Sequence, residues 1–308
     1  MLYNLKLFGQ KVKMLRLNMN LTQKETAEKA GIDRVTLRRI EQGKVIPTVE
    51  TLEALSPILK EDLISTLLQY RFDDYTVLVR IINRLETKLD NLDLSDIEIE
   101  ISALSYLRNS TLNEYYRNII DQITALVDAL NSFDSKDYNT ALEKLIMGIK
   151  ITSPEFELNS FRSFVYSYME MRILMNISFV LYELDRFDEY YAIAKFLVKT
   201  SEPTSNLYPK LCHNLARAYI RNNEYEKSLI YSTKGIESSQ KNRNFTTLAL
   251  LYFGKGLAQA HLNLSDYKDS LETSIYLCKA FGQIVLKEKI IAKCNKYSDS
   301  DLSFLNEK

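Results

Sequence analysis

The stretch "LTQKETAEKAGIDRVTLRRIEQGK", residues 21–44, decides how the first part of this chain folds. Thr22 stands three residues before Glu25. That is the spacing of a capping box, in which each side chain accepts a hydrogen bond from the other residue's backbone N–H, so a helix is predicted to begin there. Gly31 lacks a Cβ and takes the left-handed conformation that closes a helix without steric penalty. Asp33 then offers an N-cap to a further helix, reaching to about Gln42.

Two short helices joined by a three- to four-residue turn containing glycine make a helix-turn-helix, whose second helix enters the DNA major groove. Here that second helix carries Arg34, Arg38 and Arg39. Arg34, Val35 and Thr36 occupy its first turn, where side chains reach base edges. Leu37 and Ile40 face back into a core, and Arg38 and Arg39 extend the charged side. Residues 1–60 hold eleven Lys or Arg against six Asp or Glu, whereas the whole chain holds 40 of each. The neutral total therefore hides a basic head and an acidic remainder, the charge distribution of a nucleic-acid binder with one dedicated module.

The pattern extends both ways from the opening stretch. Upstream, Phe8, Val12 and Leu15 recur at helical spacing, with Lys11, Lys13 and Arg16 around them, predicting a helix near residues 5–18. Downstream, Thr48 caps a fourth helix, "TVETLEALSPIL", whose Pro57 is expected to kink or shorten it.

From Phe8 to Leu59 the chain resembles the XRE/Cro-type phage-repressor helix-turn-helix, on the TQKETAEKAG run, Ile32, the IEQGK segment from Ile40 to Lys44, Pro47 and the helix capped by Thr48. The resemblance implies an ion pair between Arg16 and Glu41. It also implies that Gln23 and the backbone from Gln42 to Lys44 touch phosphates, with Arg34, Val35 and Arg39 nearest the bases. Lys24, Thr36, Arg38, Gln42 and Lys44 complete the expected DNA-facing set.

Eight Gly and five Pro are too few for the turns of a sheet protein. The expectation is an all-α chain, with a five-helix helix-turn-helix domain over 1–68 and a tetratricopeptide-like α-solenoid over 69–308. The boundary is soft: "EDLISTLLQYRFDDY" contains no Gly or Pro and reads as the start of a linking helix. "KDYNTALEKL", "DRFDEYYAIAKFL", "NNEYEKSLIYSTKGI" and "LSDYKDSLETSIYL" recur with aromatic markers Tyr138, Phe187, Tyr225 and Tyr267, at spacings of 49, 38 and 42 residues. These are degenerate relatives of the tetratricopeptide repeat, whose period is about 34 residues. A helix pair cannot bury its apolar stripes alone, so the units are expected to stack, with the first helix of each pair lining an inner groove.

Eleven residues before the two middle markers stand Asn176 and Asn214; the same count from the outer markers gives Val127 and Gly256. In tetratricopeptide proteins this position borders the concave surface, where an amide offers both donor and acceptor to the backbone of an extended peptide. Lys210, His213, Arg217 and Arg221 share a helical face with Asn214. Arg172 before them, and Lys255 and Gln259 after them, are expected to face the same groove. Such a basic groove suits a peptide with an acidic side chain or a free C-terminal carboxylate.

Taken whole, the architecture resembles the Rgg/PlcR-type peptide-pheromone regulators, the RRNPP group. This implies a homodimeric transcription factor that binds double-stranded DNA at a palindromic or direct-repeat operator and takes a short signalling peptide in its repeat domain. Two readings of the repeats stay open on sequence: peptide sensing, or dimerisation and protein contact with no peptide ligand.

Other classes lack support. Cys212, Cys278 and Cys294 are odd in number without CxxC spacing, which fits a reducing cytoplasm better than a disulfide framework or zinc site. No apolar run approaches a membrane span, and the N-terminus lacks a signal-peptide core, so a cytoplasmic protein without membrane contact is expected. Phosphate-loop, dinucleotide, zinc-protease and serine-hydrolase motifs are missing, so no enzymatic activity, cofactor or metal is expected.

Overall fold

The computed structural model describes residues 3–71, 75–90, 96–110 and 113–297, and every regular element among them is a helix. The chain divides into two compact units, one of Met1–Arg84 with Ser102–Tyr116, the other of Leu85–Ile101 with Arg117–Lys308.

The first unit opens with α1 (Leu5–Asn18), α2 (Gln23–Ala30), α3 (Arg34–Glu41), α4 (Val49–Leu59) and α5 (Leu63–Leu68). The predicted caps are in place. The Glu25 N–H donates to Thr22 Oγ1 at 3.2 Å and the Thr22 N–H donates to Glu25 Oε2 at 2.7 Å. Gly31 closes α2 at φ 63°, and Asp33 Oδ1 accepts from the Val35 N–H at 2.5 Å to start α3. Phe8, Val12, Leu37, Ile40, Leu52, Leu55 and Leu59 fill one core.

Close approach of α1 to α3 depends on Gly9, where a Cβ would stand 2.4 Å from the Ile40 carbonyl oxygen. Pro57 does not break α4. It falls in the last turn, and Ser56 Oγ compensates locally, donating to the Leu52 carbonyl at 2.7 Å and accepting the Leu63 N–H at 3.1 Å. The helix stops at Lys60, which is left-handed at φ 53°.

The division between the units falls inside α6 (Tyr75–Asp90), α7 (Ile97–Ser110) and α8 (Glu114–Asp134). Of the predicted linking stretch, α5 ends at Leu68, and residues 72–74 lie outside the described residues.

The second unit continues as helix pairs: α8 with α9 (Tyr138–Lys150), α10 (Tyr168–Glu183) with α11 (Phe187–Thr200), α12 (Tyr208–Arg221) with α13 (Tyr225–Lys241), and α14 (Leu248–His261) with α15 (Tyr267–Ala280). A last helix, α16, covers Ile284–Tyr297, and a short 3-10 turn over Leu158–Ser163 lies between α9 and α10. All four aromatic markers are the first residue of the second helix in a pair. In the first three pairs the preceding turn is the same: Lys136, Asp185 and Asn223 are left-handed, and the next N–H reaches back to the carbonyls of Ser132, Leu181 and Tyr219. These bonds satisfy carbonyls that the end of the first helix leaves open. Two markers also grip that helix by ring edges, Tyr138 on Phe133 at 5.3 Å and Phe187 on Tyr182 at 5.2 Å.

The repeat core runs continuously from Leu126 through Ile173, Leu197 and Leu215 to Leu251. Cys212 and Cys278 are buried free thiols, pushed up to about 12 and about 11 by burial. The side chain of Cys294 lies outside the described residues. Among the described residues no helix is long and apolar enough to cross a membrane.

Candidate nucleic-acid interface and repeat-domain face

In the first unit, α3 turns Leu37 and Ile40 inward and presents Arg34, Val35, Arg38 and Arg39 to solvent. Thr36 is half-buried, while Gln42 and Lys44 are exposed just beyond the helix. Among the described residues no acidic side chain forms an ion pair with Arg34, Arg38, Arg39 or Lys44, so their charge is available to a partner. Val35 is 51 % exposed, a branched apolar side chain between cations.

Beneath this face is a buried polar network. Arg16 Nε donates to Glu41 Oε1 at 2.5 Å and Arg16 Nη2 to Glu41 Oε2 at 3.1 Å, while Arg16 Nη1 donates to the Leu21 carbonyl at 2.8 Å. The pair therefore ties α1, the loop before α2 and the end of α3 together. Gln23 joins it, its Nε2 donating to Glu41 Oε2 at 2.7 Å. Lys24 is exposed and 3.9 Å from Glu28 on the same helix, a contact too solvated to fix it.

In the repeat unit the candidate residues differ in how they are engaged. Arg172 is buried and its Nη1 donates to Glu86 Oε1 at 2.5 Å. Asn176 spends its amide N–H within its own helix, donating to the Arg172 carbonyl at 2.9 Å. Gln259 donates from Nε2 to Asp266 Oδ2 at 2.5 Å, and its Oε1 is buried without a partner. Lys255 lies 5.9 Å from the Tyr252 ring centroid. Lys210 lines an open polar cleft of about 260 Å³ with Glu86, Tyr168, Asn206 and Arg243.

The α12 face is different. Asn214 is 7 % exposed, and among the described residues no hydrogen bond engages its side-chain amide; Tyr190 donates only to its backbone carbonyl, at 3.4 Å. His213 Nδ1 is likewise buried without a partner. Burial, then the positive charges of Arg217 and Lys293, hold the His213 imidazole down to about 3, against an opposing pull from the Leu250 carbonyl. Arg217 lies over the Phe179 ring at 5.8 Å, and burial and neighbouring Arg221 lower its pKa. The equivalent position at Gly256 has no room for an amide, since even a Cβ would come within 2.8 Å of the Leu271 side chain on α15.

Several participants left no local trace in the sequence. Glu86 meets Arg172 across 86 residues of chain. Gly9 was legible only as a small residue in an amphipathic helix.

Comparison with known proteins gives a consistent picture. The helix-turn-helix family model matches residues 12–63. No curated protein sequence matches. Bacillus thuringiensis PlcR, solved in complex with the peptide PapR7 and DNA, is 17 % identical with a TM-score of 0.71, over 93 % of this chain and 99 % of that one. The Streptococcus dysgalactiae SHP pheromone receptor Rgg2 is 15 % identical with a TM-score of 0.52, over 94 % of this chain and 100 % of that one. ComR from S. thermophilus, in complex with DNA and its signalling peptide ComS, is 15 % identical with a TM-score of 0.54, over 93 % and 98 %. The chain is thus a helix-turn-helix domain followed by a helical repeat domain, in the fold of PlcR, Rgg2 and ComR.

Proposed function

We propose that this protein is a sequence-specific DNA-binding transcriptional regulator whose repeat domain binds a short signalling peptide, and that the peptide alters DNA binding. On the DNA side, Arg34, Val35 and Arg39 read bases, while Lys44 and the end of α3 hold phosphates. The active form is a homodimer. Its symmetry sets two recognition helices about 34 Å apart, matching half-sites one duplex turn apart. The peptide acts through its differential affinity for two conformations of the repeat domain.

The observation that carries the peptide part is the Asn214 amide, which makes no hydrogen bond among the described residues although the residue is only 7 % exposed, one helical turn before Arg217 in a setting rich in cations. Its amide atoms keep access to solvent and stay free to pair with a ligand. An extended peptide backbone supplies both the acceptor and the donor it needs. Supporting this, PlcR and ComR, which share the fold, were solved with a peptide and DNA bound.

A second reading, repeats that only dimerise or recruit another protein, is favoured by Arg172 and Asn176, whose polar groups are engaged within the unit. Isothermal titration of wild type and Asn214→Ala with pools of short peptides separates the two. The first predicts saturable binding lost in the variant; absence of binding across the pools favours the second.

A further inference from the structure

Arg71 stands three residues beyond the end of α5, where the chain is still tied to the helix-turn-helix core. The Tyr70 carbonyl accepts the Asn4 N–H at 2.7 Å, and the Tyr70 ring meets the buried Phe8 ring edge to face, 6.0 Å between centroids. From this anchor Arg71 Nη1 donates to the Tyr116 phenol oxygen at 2.6 Å, across 45 residues of chain. The guanidinium lies 5.4 Å from the ring centroid of Tyr75, the first residue of α6. Tyr116 is buried, with Tyr75 and Tyr115 set against its ring at 5.6 and 5.2 Å. A phenol oxygen held by a charged donor, on a ring fixed by two others, has little freedom to move away from Arg71.

The bond lies within the first unit, yet the helix that it holds does not end there. Of α8, residues 114–116 belong to the first unit and residues 117–134 to the second. Six residues past Tyr116, about 9 Å along the helix, the buried Gln122 donates from Nε2 to Thr152 Oγ1 at 2.7 Å. Thr152 Oγ1 donates in turn to Glu170 Oε1 at 2.7 Å, joined by Ser153 Oγ at 2.8 Å, while Glu170 Oε2 accepts the Ser167 N–H at 2.7 Å. Glu170 is thus both the capping-box carboxylate of α10 and the end of a polar chain that starts on α8. Apolar packing along this path is as close: a Cβ on Gly148 of α9 would stand 3.3 Å from the Ala125 side chain of α8 and 3.3 Å from that of Ile173 on α10. Arg172 and Asn176 follow Glu170 on the same helix.

We infer that Tyr116 is the positioning residue through which the repeat domain and the helix-turn-helix act on each other. This role rests on the control of DNA binding proposed above and adds the residue that carries it. One continuous helix, α8, is gripped at its start by Arg71 and less than two turns later by the Thr152–Glu170 chain. A shift at the start of α10 draws on Gln122 and so on Tyr116, and Arg71 passes the displacement to the end of α5. Neither bond uses a DNA-facing side chain or the α12 face, so each can be broken with both surfaces left whole. Coupling of this kind is reciprocal: a duplex held by α3 steadies the repeat helices by the same factor as they bias the grip on the duplex.

Because of that reciprocity the test needs no peptide. Hydrogen exchange in α9 and α10 of the full-length protein is measured by mass spectrometry, with and without saturating amounts of its selected duplex. Wild type should exchange roughly fivefold or more slowly there when the duplex is bound, the low end of allosteric coupling. Tyr116→Phe removes the hydroxyl and keeps the ring; it should hold the duplex with wild-type affinity and lose the slowing. Gln122→Met, at the other grip, should lose it too. Arg71→Met should match Tyr116→Phe, and the two together should do no more than either alone, since both remove one bond. Arg71→Met also keeps the test decisive if Tyr116→Phe does not fold.

Equal slowing in Tyr116→Phe and wild type, with only a lower Tm in the variant, makes the bond a structural one and overturns the coupling role, as does a wild type that shows no slowing. Peptide titrations then separate the two claims. A peptide that shifts DNA affinity equally in wild type and Tyr116→Phe overturns the role of Tyr116 and leaves the proposed function standing. Slowing that depends on Tyr116 while no short peptide binds sustains the coupling and places the failure in the proposed peptide function.

Discussion

Arg16 on α1 and Glu41 at the end of α3 form a forked, buried ion pair, with the two N···O distances at 2.5 and 3.1 Å. Gln23 and the Leu21 carbonyl take up the remaining capacity around it. A buried pair of this kind adds little over an apolar pair of the same volume, but removing one partner strands a charge. Glu41→Ala should therefore destabilise the first unit by about 3–5 kcal/mol, measured by urea unfolding, while Arg16→Met with Glu41→Leu should recover most of the loss. A single variant within 1 kcal/mol of wild type, as a rough threshold, would show that the pair does not hold α3 in place.

Gly9 marks where α1 crosses the end of α3, its missing Cβ leaving room for the Ile40 and Glu41 carbonyls. Those obstacles are backbone and cannot swing aside. Gly9→Ala should cost about 1–3 kcal/mol despite alanine's better helix propensity, and lower DNA affinity by displacing α3. Thermal unfolding and a DNA titration check both parts; a variant more stable than wild type would contradict the packing described.

Base reading and phosphate holding separate on α3. Arg34→Ala should weaken binding to the preferred duplex by about 1–3 kcal/mol and relax preference at one position. Lys44→Ala should weaken all sequences alike and reduce the salt slope by about one. Selection from a random duplex pool followed by salt-dependent titration distinguishes the two patterns. Full affinity and preference in both variants would mean that another element enters the groove.

His213 gives a pH signature. Its folded pKa, about 3, lies below its ordinary value near 6.5, so on acidification the unfolded chain takes the proton first. Its neutral burial thus costs nothing above about pH 6.5, and stability falls as the pH drops from there towards 3. His213→Gln should remove that part of the slope while leaving the contribution of the carboxylates. Parallel stability curves for variant and wild type over this range would contradict the burial of a neutral imidazole.

Much of this architecture was written locally. Thr22, Glu25, Gly31, Asp33 and Thr48 act within a few residues of themselves, so the helix limits of the first unit could be read one after another. The markers Tyr138, Phe187, Tyr225 and Tyr267 likewise start their helices because each follows a turn that closes the helix before it. Side-chain partners were another matter. Nothing near Arg172 announces Glu86, because three-dimensional packing and not sequence spacing brings them together. The two asparagines look equivalent in the sequence, yet Asn176 bonds its own helix and Asn214, among the described residues, bonds nothing through its amide.

The most direct test measures the affinity of the full-length protein for its selected duplex, by fluorescence anisotropy, with and without short peptides. A peptide that binds wild type should change that affinity, and Asn214→Ala should keep DNA binding while losing the change. Peptides that bind without altering DNA affinity, or an equal response in Asn214→Ala, would contradict a repeat domain that governs the helix-turn-helix through this face.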